Sequence, residues 1–121
     1  MSWNRLILLG LALAAAATAQ AQEAKCPRYH GKSPLVSGVV FDGPPEEKAD
    51  LMPDISRGKG SHAYASWDVG YLFDQGRSVY LVCRYSGHGD ENAVTVKVAK
   101  KALHCIYRTH AGGQPAELSC K

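Results

Sequence analysis

The pattern of apolar and polar positions in the second half of the chain alternates with a period of two. In residues 93–99 every second position is a valine, while Thr95 and Lys97 occupy the alternate positions, as in a half-buried antiparallel strand. Residues 78–85 before it are almost continuously apolar and rich in β-branched and aromatic side chains, which predicts a central strand. Residues 86–92 have a turn composition, so we predict a hairpin with a long exposed tip.

Shorter patterns on either side predict further strands. Residues 35–41 are a strand candidate, and Gly38 within it indicates a bulge or a close backbone approach. Residues 63–69 are another candidate, which residues 71–73 extend past a glycine. Residues 102–108 form a third run, and we expect Lys100 and Lys101 to make the turn that leads into it.

Two segments differ from this pattern. Residues 42–54 begin with prolines, carry Glu46 and Glu47 where a first helical turn favours negative charge, and reach Pro53 as a stop, which predicts one or two helical turns. Residues 55–61 predict a flexible connection. The fold class is therefore all-β, with five to six short antiparallel strands in a sandwich or small barrel and at most one short helix.

The N-terminal 21 residues have the pattern of a cleaved export signal. Arg5 precedes an apolar core, and Ala19 and Ala21 supply the small residues of an A-x-A cleavage site. The apolar run is too short for an ordinary membrane span. We predict a signal peptide over residues 1–21, a single domain over residues 22–121, and no membrane anchor after cleavage.

Charge gives no indication of a nucleic-acid or membrane partner. Loss of Arg5 with the signal leaves a net charge of +2, because one of the 14 basic residues is removed and 11 acidic residues remain. This is close to balance, with neither a polybasic nor an acidic run, so we expect no nucleic-acid partner.

All four cysteines, Cys26, Cys83, Cys105 and Cys120, lie in the predicted mature domain. An even number in an exported chain of this size predicts two disulfides. Sequence leaves three pairings open. We favour Cys83 with Cys105 and Cys26 with Cys120. The second of these bonds would join the two ends of the domain. That choice requires the segment carrying Cys105 to leave the simple meander, in which first and third strands are too far apart for a disulfide.

The residues offer no site for a metal or cofactor. No C-x-x-C pair occurs, and the five histidines are at no familiar zinc spacing, so we predict neither a metal nor a cofactor. The alternative is a cation or small-ligand site built from Asp42, Glu46, Glu47 and neighbouring carboxylates.

Motifs for catalysis are missing from the sequence as well. It has no G-x-S-x-G, no H-E-x-x-H and no phosphate-binding glycine loop. His104 and Cys105 are adjacent on a predicted strand, so their side chains point to opposite faces and cannot cooperate directly. We therefore predict no catalytic residues and no enzymatic activity.

Two features favour binding instead. The hairpin tip carries His88, Asp90 and Glu91, which we predict contact a protein partner. The chain is also rich in aromatic residues, most of which we expect in the core, although exposed Tyr and Trp are common interface anchors. This aromatic set comprises Tyr64, Trp67, Tyr71, Phe73, Tyr80, Tyr85 and Tyr107.

Several motifs together resemble a family of small exported proteins of Gram-negative bacteria. Some relatives are similar to proteins encoded among type VI secretion genes, where small periplasmic proteins neutralise wall-degrading toxins. The resemblance implies that the protein stays in the periplasm, and secretion into the medium is less expected. The resemblance supplies no catalytic residues. The motifs are Cys26-Pro27, F-D-G-P-P-E-E at residues 41–47, Leu51-x-Pro53, Trp67-Asp68, Y-L-V-C-R-Y at residues 80–85, and Cys105.

A fainter similarity is to the bacterial inhibitors of C-type lysozymes. It rests on the Y-x-V-C-like strand and on a small disulfide-linked β-domain. The Ser-Gly-Ser-Gly inhibitory loop of those proteins has only a partial counterpart in S-G-H-G at residues 86–89, so we do not transfer the activity.

The function predicted from sequence is that of a non-enzymatic periplasmic binding protein. Its partner would be a protein, either a peptidoglycan-active toxin or a wall-active enzyme, which it would block as an immunity or inhibitor protein. The alternative function is a periplasmic sensor or envelope protein that binds a small ligand or cation through Asp42, Glu46 and Glu47.

Overall fold

The computed structural model describes residues 23–87, 89 and 92–121. This part of the chain contains nine β-strands. It also contains one α-helix, α1 (Gly70–Asp74), and 3-10 turns at Pro45–Glu47 and Gly60–His62. The strands are β1 (Ala24–Lys25), β2 (Tyr29–His30), β3 (Ser33–Asp42), β4 (Ile55–Arg57), β5 (Tyr64–Asp68), β6 (Val79–Tyr85), β7 (Val94–Lys97), β8 (His104–Arg108) and β9 (Glu117–Cys120).

The strands form two antiparallel sheets, which confirms the all-β prediction, although the described residues form nine strands and not five to six, because two-residue strands such as β1 and β2 leave no alternation in the sequence. One sheet has five strands in the order β1-β9-β8-β5-β4, and the other has four in the order β2-β3-β6-β7. The chain passes between the sheets several times. No helix in the described ranges has the length and apolar composition needed to cross a membrane.

A single apolar core lies between the two sheets. Alternation along each strand turns every second side chain inward, so β6 contributes positions 79, 81, 83 and 85 while β5 contributes Ala65 and Trp67. Buried residues from both sheets belong to the same cluster. The least exposed side chains are Leu35, Leu81, Leu118, Val40, Val69, Val79, Cys83, Cys105 and Cys120.

Gly38 is a point of close approach between the sheets. It lies in β3 opposite Cys83, and a Cβ placed on it would overlap the side chain of Leu118 in β9. Leu118 is itself buried, so it has little room to move away. The predicted close approach is confirmed, whereas the irregularity in β3 falls between Leu35 and Ser37.

The predicted hairpin is confirmed as β6 paired with β7, with Cys83 opposite Val94. The next connection differs from the expected tight turn. Lys100 and Lys101 lie in a segment that crosses to the other sheet, where β8 pairs with β5 and β9. The local sequence pattern gave the strand but not its neighbours.

Two local predictions were wrong. Residues 71–73 do not extend β5, because they lie in α1, where the Gln75 N–H donates to the Tyr71 carbonyl at 3.1 Å. Only Leu72 of this helix is buried. Residues 55–61 are not merely a connection, since they begin with β4, an edge strand paired with β5.

The predicted number of disulfides is confirmed, but the favoured pairing was wrong. The bonds are Cys26–Cys83 and Cys105–Cys120, not Cys83–Cys105 and Cys26–Cys120. The reason is where the segment after β7 arrives, which is the five-stranded sheet between β5 and β9. This position places Cys105 directly opposite Cys120 in the β8–β9 pair, while Cys83 remains in the other sheet. The second bond therefore lies within one sheet, and the first joins the segment after β1 to the centre of the opposite sheet.

We predict that Cys26–Cys83 contributes more stability than Cys105–Cys120. The two bonds close loops with sequence separations of 57 and 15 residues. In the chain-entropy description these loops correspond to about 4 and about 3 kcal/mol. Urea unfolding of the double variants C26A/C83A and C105A/C120A measures the difference. All four cysteines are buried, so each variant is the other's matched control. Equal losses, or a larger loss for C105A/C120A, would contradict this ranking.

Candidate functional site

The structure describes the base of the hairpin whose tip is predicted to contact a partner. His88, Asp90 and Glu91 themselves lie outside the described residues. At the base, β6 ends at Tyr85, and the Ser86 N–H donates to the Pro34 carbonyl at 3.0 Å. The tip therefore emerges beside the beginning of β3.

The base of the hairpin is fixed to both sheets. Cys83, two residues before the end of β6, is bonded to Cys26. The Cys26 N–H donates to the Leu118 carbonyl of the five-stranded sheet at 2.9 Å. The Tyr85 hydroxyl donates to the Pro27 carbonyl at 2.7 Å. Burial raises the pKa of Tyr85, which keeps this hydroxyl a donor. These three contacts hold the base of the hairpin in place against both sheets.

A second feature lies on the outer face of the five-stranded sheet. Arg57, Tyr64 and Arg108 are cross-strand neighbours on β4, β5 and β8. The Arg57 guanidinium carbon is 4.7 Å from the centroid of the Tyr64 ring, and that of Arg108 is 5.3 Å from it. Both distances are within cation–π range. One aromatic ring therefore orders two cationic side chains.

Near Arg108, the outer face carries a small charged cluster. Glu117 is the cross-strand neighbour of Arg108. Its carboxylate lies 2.8 Å from Arg28 Nη2 and 3.2 Å from His110 Nε2. The hydrogen bond from His110 and the charges of His110 and Arg28 lower the pKa of Glu117 against the opposing effect of desolvation. The Glu117 carboxylate is therefore already bound by Arg28 and His110 of the same chain.

The carboxylates proposed for a cation site also have a partner within the chain. Arg77 Nε lies 2.7 Å from Asp42 Oδ1, and Arg77 Nη2 lies 3.1 Å from Glu47 Oε2. The hydrogen bonds to Asp42 and Glu47 raise the pKa of Arg77. Among the described side chains, no group of three or more His, Cys, Asp or Glu has a metal-binding arrangement. The Arg77 ion pairs explain the clustering of Asp42 and Glu47.

His104 and Cys105 point to opposite faces, as predicted. Cys105 is buried in its disulfide. His104 is on the outer face, where its Nδ1 lies 2.7 Å from Oδ1 of its cross-strand neighbour Asp68. No cysteine of the chain is a free thiol. A Cys–His nucleophile at this position is therefore excluded.

The aromatic set divides into core residues and surface residues. Trp67 and Tyr85 are buried, and the Trp67 Nε1–H donates to the Leu51 carbonyl at 3.0 Å. The Tyr107 hydroxyl donates to the Val36 carbonyl at 2.9 Å, which joins the two sheets. Tyr71 is 52% exposed. Tyr64 is half-buried on the outer face, so the set contains both core packing and a surface anchor.

Sequence reasoning did not identify Arg57 and Arg108 as site residues. Arg57 fell in the segment expected to be a flexible connection, and Arg108 at the end of a strand candidate. Alternation in residues 55–57 was the available signal, since it places Ile55 and Arg57 on one face. The pairing of β4 and β8 on either side of β5 could not be read from sequence.

Residues 30–121 match a family model described as Type VI secretion system Tli immunity protein. The match covers well over half of the chain, and the protein belongs to this family. It is accordingly an immunity protein whose partner is a toxin, which confirms the predicted function class and the association with type VI secretion. No curated protein and no solved structure matches the chain.

We predict that the Glu117 carboxyl titrates below the ordinary glutamate range and that His110→Ala raises its pKa. The lowered pKa means that the ion-pair cluster stabilises the fold above the ordinary glutamate pKa, and that this contribution is lost as pH falls through the lowered value. Because Glu117 is partly exposed, the effect on stability is small. Carbon-13 NMR titration of the side-chain carboxyl measures both values. An identical midpoint in the two proteins would show that His110 does not act on Glu117.

Proposed function

We propose that the chain is exported, loses residues 1–21, and binds a type VI toxin in the periplasm, where it blocks the toxin without chemistry of its own. The observation that carries this proposal is the family match over residues 30–121. The sequence supports export through its leader. All four cysteines are paired, and disulfides persist in oxidising compartments such as the periplasm.

The proposed mode of action is steric. Two bonded sheets with a fixed hairpin base form a rigid scaffold, and rigid scaffolds with exposed loops are suited to recognition. A preorganised surface also loses little conformational entropy on binding, which favours high affinity. We propose that His88, Asp90 and Glu91 at the hairpin tip contact the toxin.

The proposed substrate of the toxin is peptidoglycan. Its support is the shared compartment, because a toxin whose immunity protein acts in the periplasm meets the cell wall there. Membrane phospholipid is the competing substrate in the same compartment. The two differ in their products, since wall cleavage releases muropeptides and lipid cleavage releases fatty acids or headgroups.

We predict that the protein protects cells from the toxin encoded beside its gene when that toxin is directed to the periplasm. Wild-type protein should restore growth, and a variant lacking residues 2–21 should not, because it stays in the cytoplasm. Plating efficiency measures protection, and an exogenous signal peptide fused to the shortened variant is the control. Survival of cells that lack the protein would contradict the proposal. Release of lipid products without muropeptides would contradict only the peptidoglycan part.

We also predict that the triple variant H88A/D90A/E91A binds that toxin at least about 30-fold more weakly, as expected when hot-spot residues are truncated. We expect its melting temperature to match wild type, because the described contacts that join this hairpin to the other sheet lie at its base. Calorimetric titration and thermal unfolding measure the two quantities. The control is Lys100→Ala, because Lys100 lies near the start of β6, at the end of the strand opposite to the hairpin tip. Unchanged affinity, or a lowered melting temperature, would show that these residues do not form an exposed contact.

A further inference from the structure

We propose that the outer face of the five-stranded sheet around Arg57, Tyr64 and Arg108 docks an acidic segment of the toxin. This inference rests on the proposed function, and it adds the surface and the chemistry of the partner. We call the surface formed by Ile55, Arg57, Tyr64, Ile106 and Arg108 the Arg–Tyr face.

The two arginines of this face are ordered but not neutralised. Both guanidinium groups lie on the Tyr64 ring, at 4.7 and 5.3 Å from its centroid. Within the described ranges neither one forms an ion pair with a carboxylate, whereas Arg28 and Arg77 both do. The two charges are therefore available to an external anion, and an arginine fork binds a carboxylate through two parallel hydrogen bonds.

Apolar side chains lie beside the arginines on the same face. Ile55 is 49% exposed and Ile106 is half-buried. Both are on the outward row that is paired through Ser66 of β5. Tyrosine and arginine around an apolar centre are the composition of interface hot spots. This composition favours a protein partner over a small anion.

The arginine end of the face borders a shallow depression. A shallow, open depression of about 610 Å³ is lined by Arg57, Tyr64 and Arg108 together with His62 and His110. The depression is wide and open, so it is suited to a protruding loop or side chain and not to an enclosed small ligand.

The Arg–Tyr face lies toward the end of the sheets where the hairpin begins. The Ser86 N–H at the hairpin base donates to Pro34 O, and the Ala116 N–H donates to Leu35 O at 2.8 Å. These bonds place the end of β6 beside the start of β9. At the start of β9, Glu117 is the cross-strand neighbour of Arg108, and Arg108 is the cross-strand neighbour of Tyr64. The base of the hairpin and the Arg–Tyr face are therefore at the same end of the two sheets.

An acidic protein segment fits this surface better than an anionic membrane does. Polybasic membrane sites use about four to eight clustered Lys or Arg residues near the bilayer surface. The Arg–Tyr face has two arginines, and the predicted mature chain has a net charge of only +2, because 11 acidic residues offset the basic ones. Two ordered arginines with an apolar centre match a pair of carboxylates on a folded partner.

The test compares the double variant R57Q/R108Q with a matched control, K97Q/K100Q. The control removes the same charge and also one cation–π contact, since Lys97 Nζ lies 6.0 Å from the Tyr80 centroid. Lys97 is opposite Tyr80 at the start of β6, far along the strand from the hairpin base. Binding of the toxin encoded beside the gene is measured by surface plasmon resonance at low and high salt.

We expect R57Q/R108Q to bind at least about 30-fold more weakly than wild type and to lose most of the salt dependence of the association rate. K97Q/K100Q should bind like wild type, and both variants should keep the wild-type melting temperature. Tyr64→Phe, which keeps the ring, should also bind like wild type. Tyr64→Ala should lose affinity.

The possible failures are distinguishable. If wild type does not bind the toxin, the proposed function fails, and this inference fails with it. If wild type binds and R57Q/R108Q binds equally well, only this inference is overturned. If R57Q/R108Q keeps toxin affinity but loses binding to phosphatidylglycerol vesicles, the face is a lipid surface, which overturns the acidic-segment proposal.

Discussion

The bond between Cys26 and Cys83 is the constraint on which the rest of this structure depends. It joins the segment after β1 to β6, one of the two inner strands of the opposite sheet. Cys26 also donates a backbone hydrogen bond to Leu118, so this one residue is tied to both sheets. A domain of about 100 residues has a small core and limited stability. A bond across that core therefore fixes how the sheets face each other.

The same bond links the scaffold to the functional conclusion. It lies two residues from Tyr85, where the hairpin tip begins, and it holds this base at the end of the molecule that also carries Arg108 and Tyr64. An immunity protein must bind its toxin tightly enough to prevent damage. Binding surfaces that are already ordered lose less conformational entropy on association. A sandwich fixed internally by two disulfides meets this requirement with few residues.

Sequence predicted what depends on local pattern and missed what depends on the path of the chain. The alternation of valines gave β7, and the close approach at Gly38 was expected. The favoured pairing required the segment after Lys100 to leave the meander, but a strand pattern does not say which sheet and which neighbours receive the strand. The favoured disulfide pairing was wrong for that reason. Arg57 was missed because glycines on either side of residue 59 made the short edge strand β4 resemble a loop.

A crystal structure of the mature protein bound to its toxin would show directly which surface the toxin covers. We expect the toxin over the hairpin tip and the Arg–Tyr face, with toxin carboxylates at Arg57 and Arg108 and little change in the two sheets. A complex in which the toxin covers the opposite end, around Lys100 and the start of β6, would contradict this expectation. So would a complex in which the sheets separate to admit the toxin.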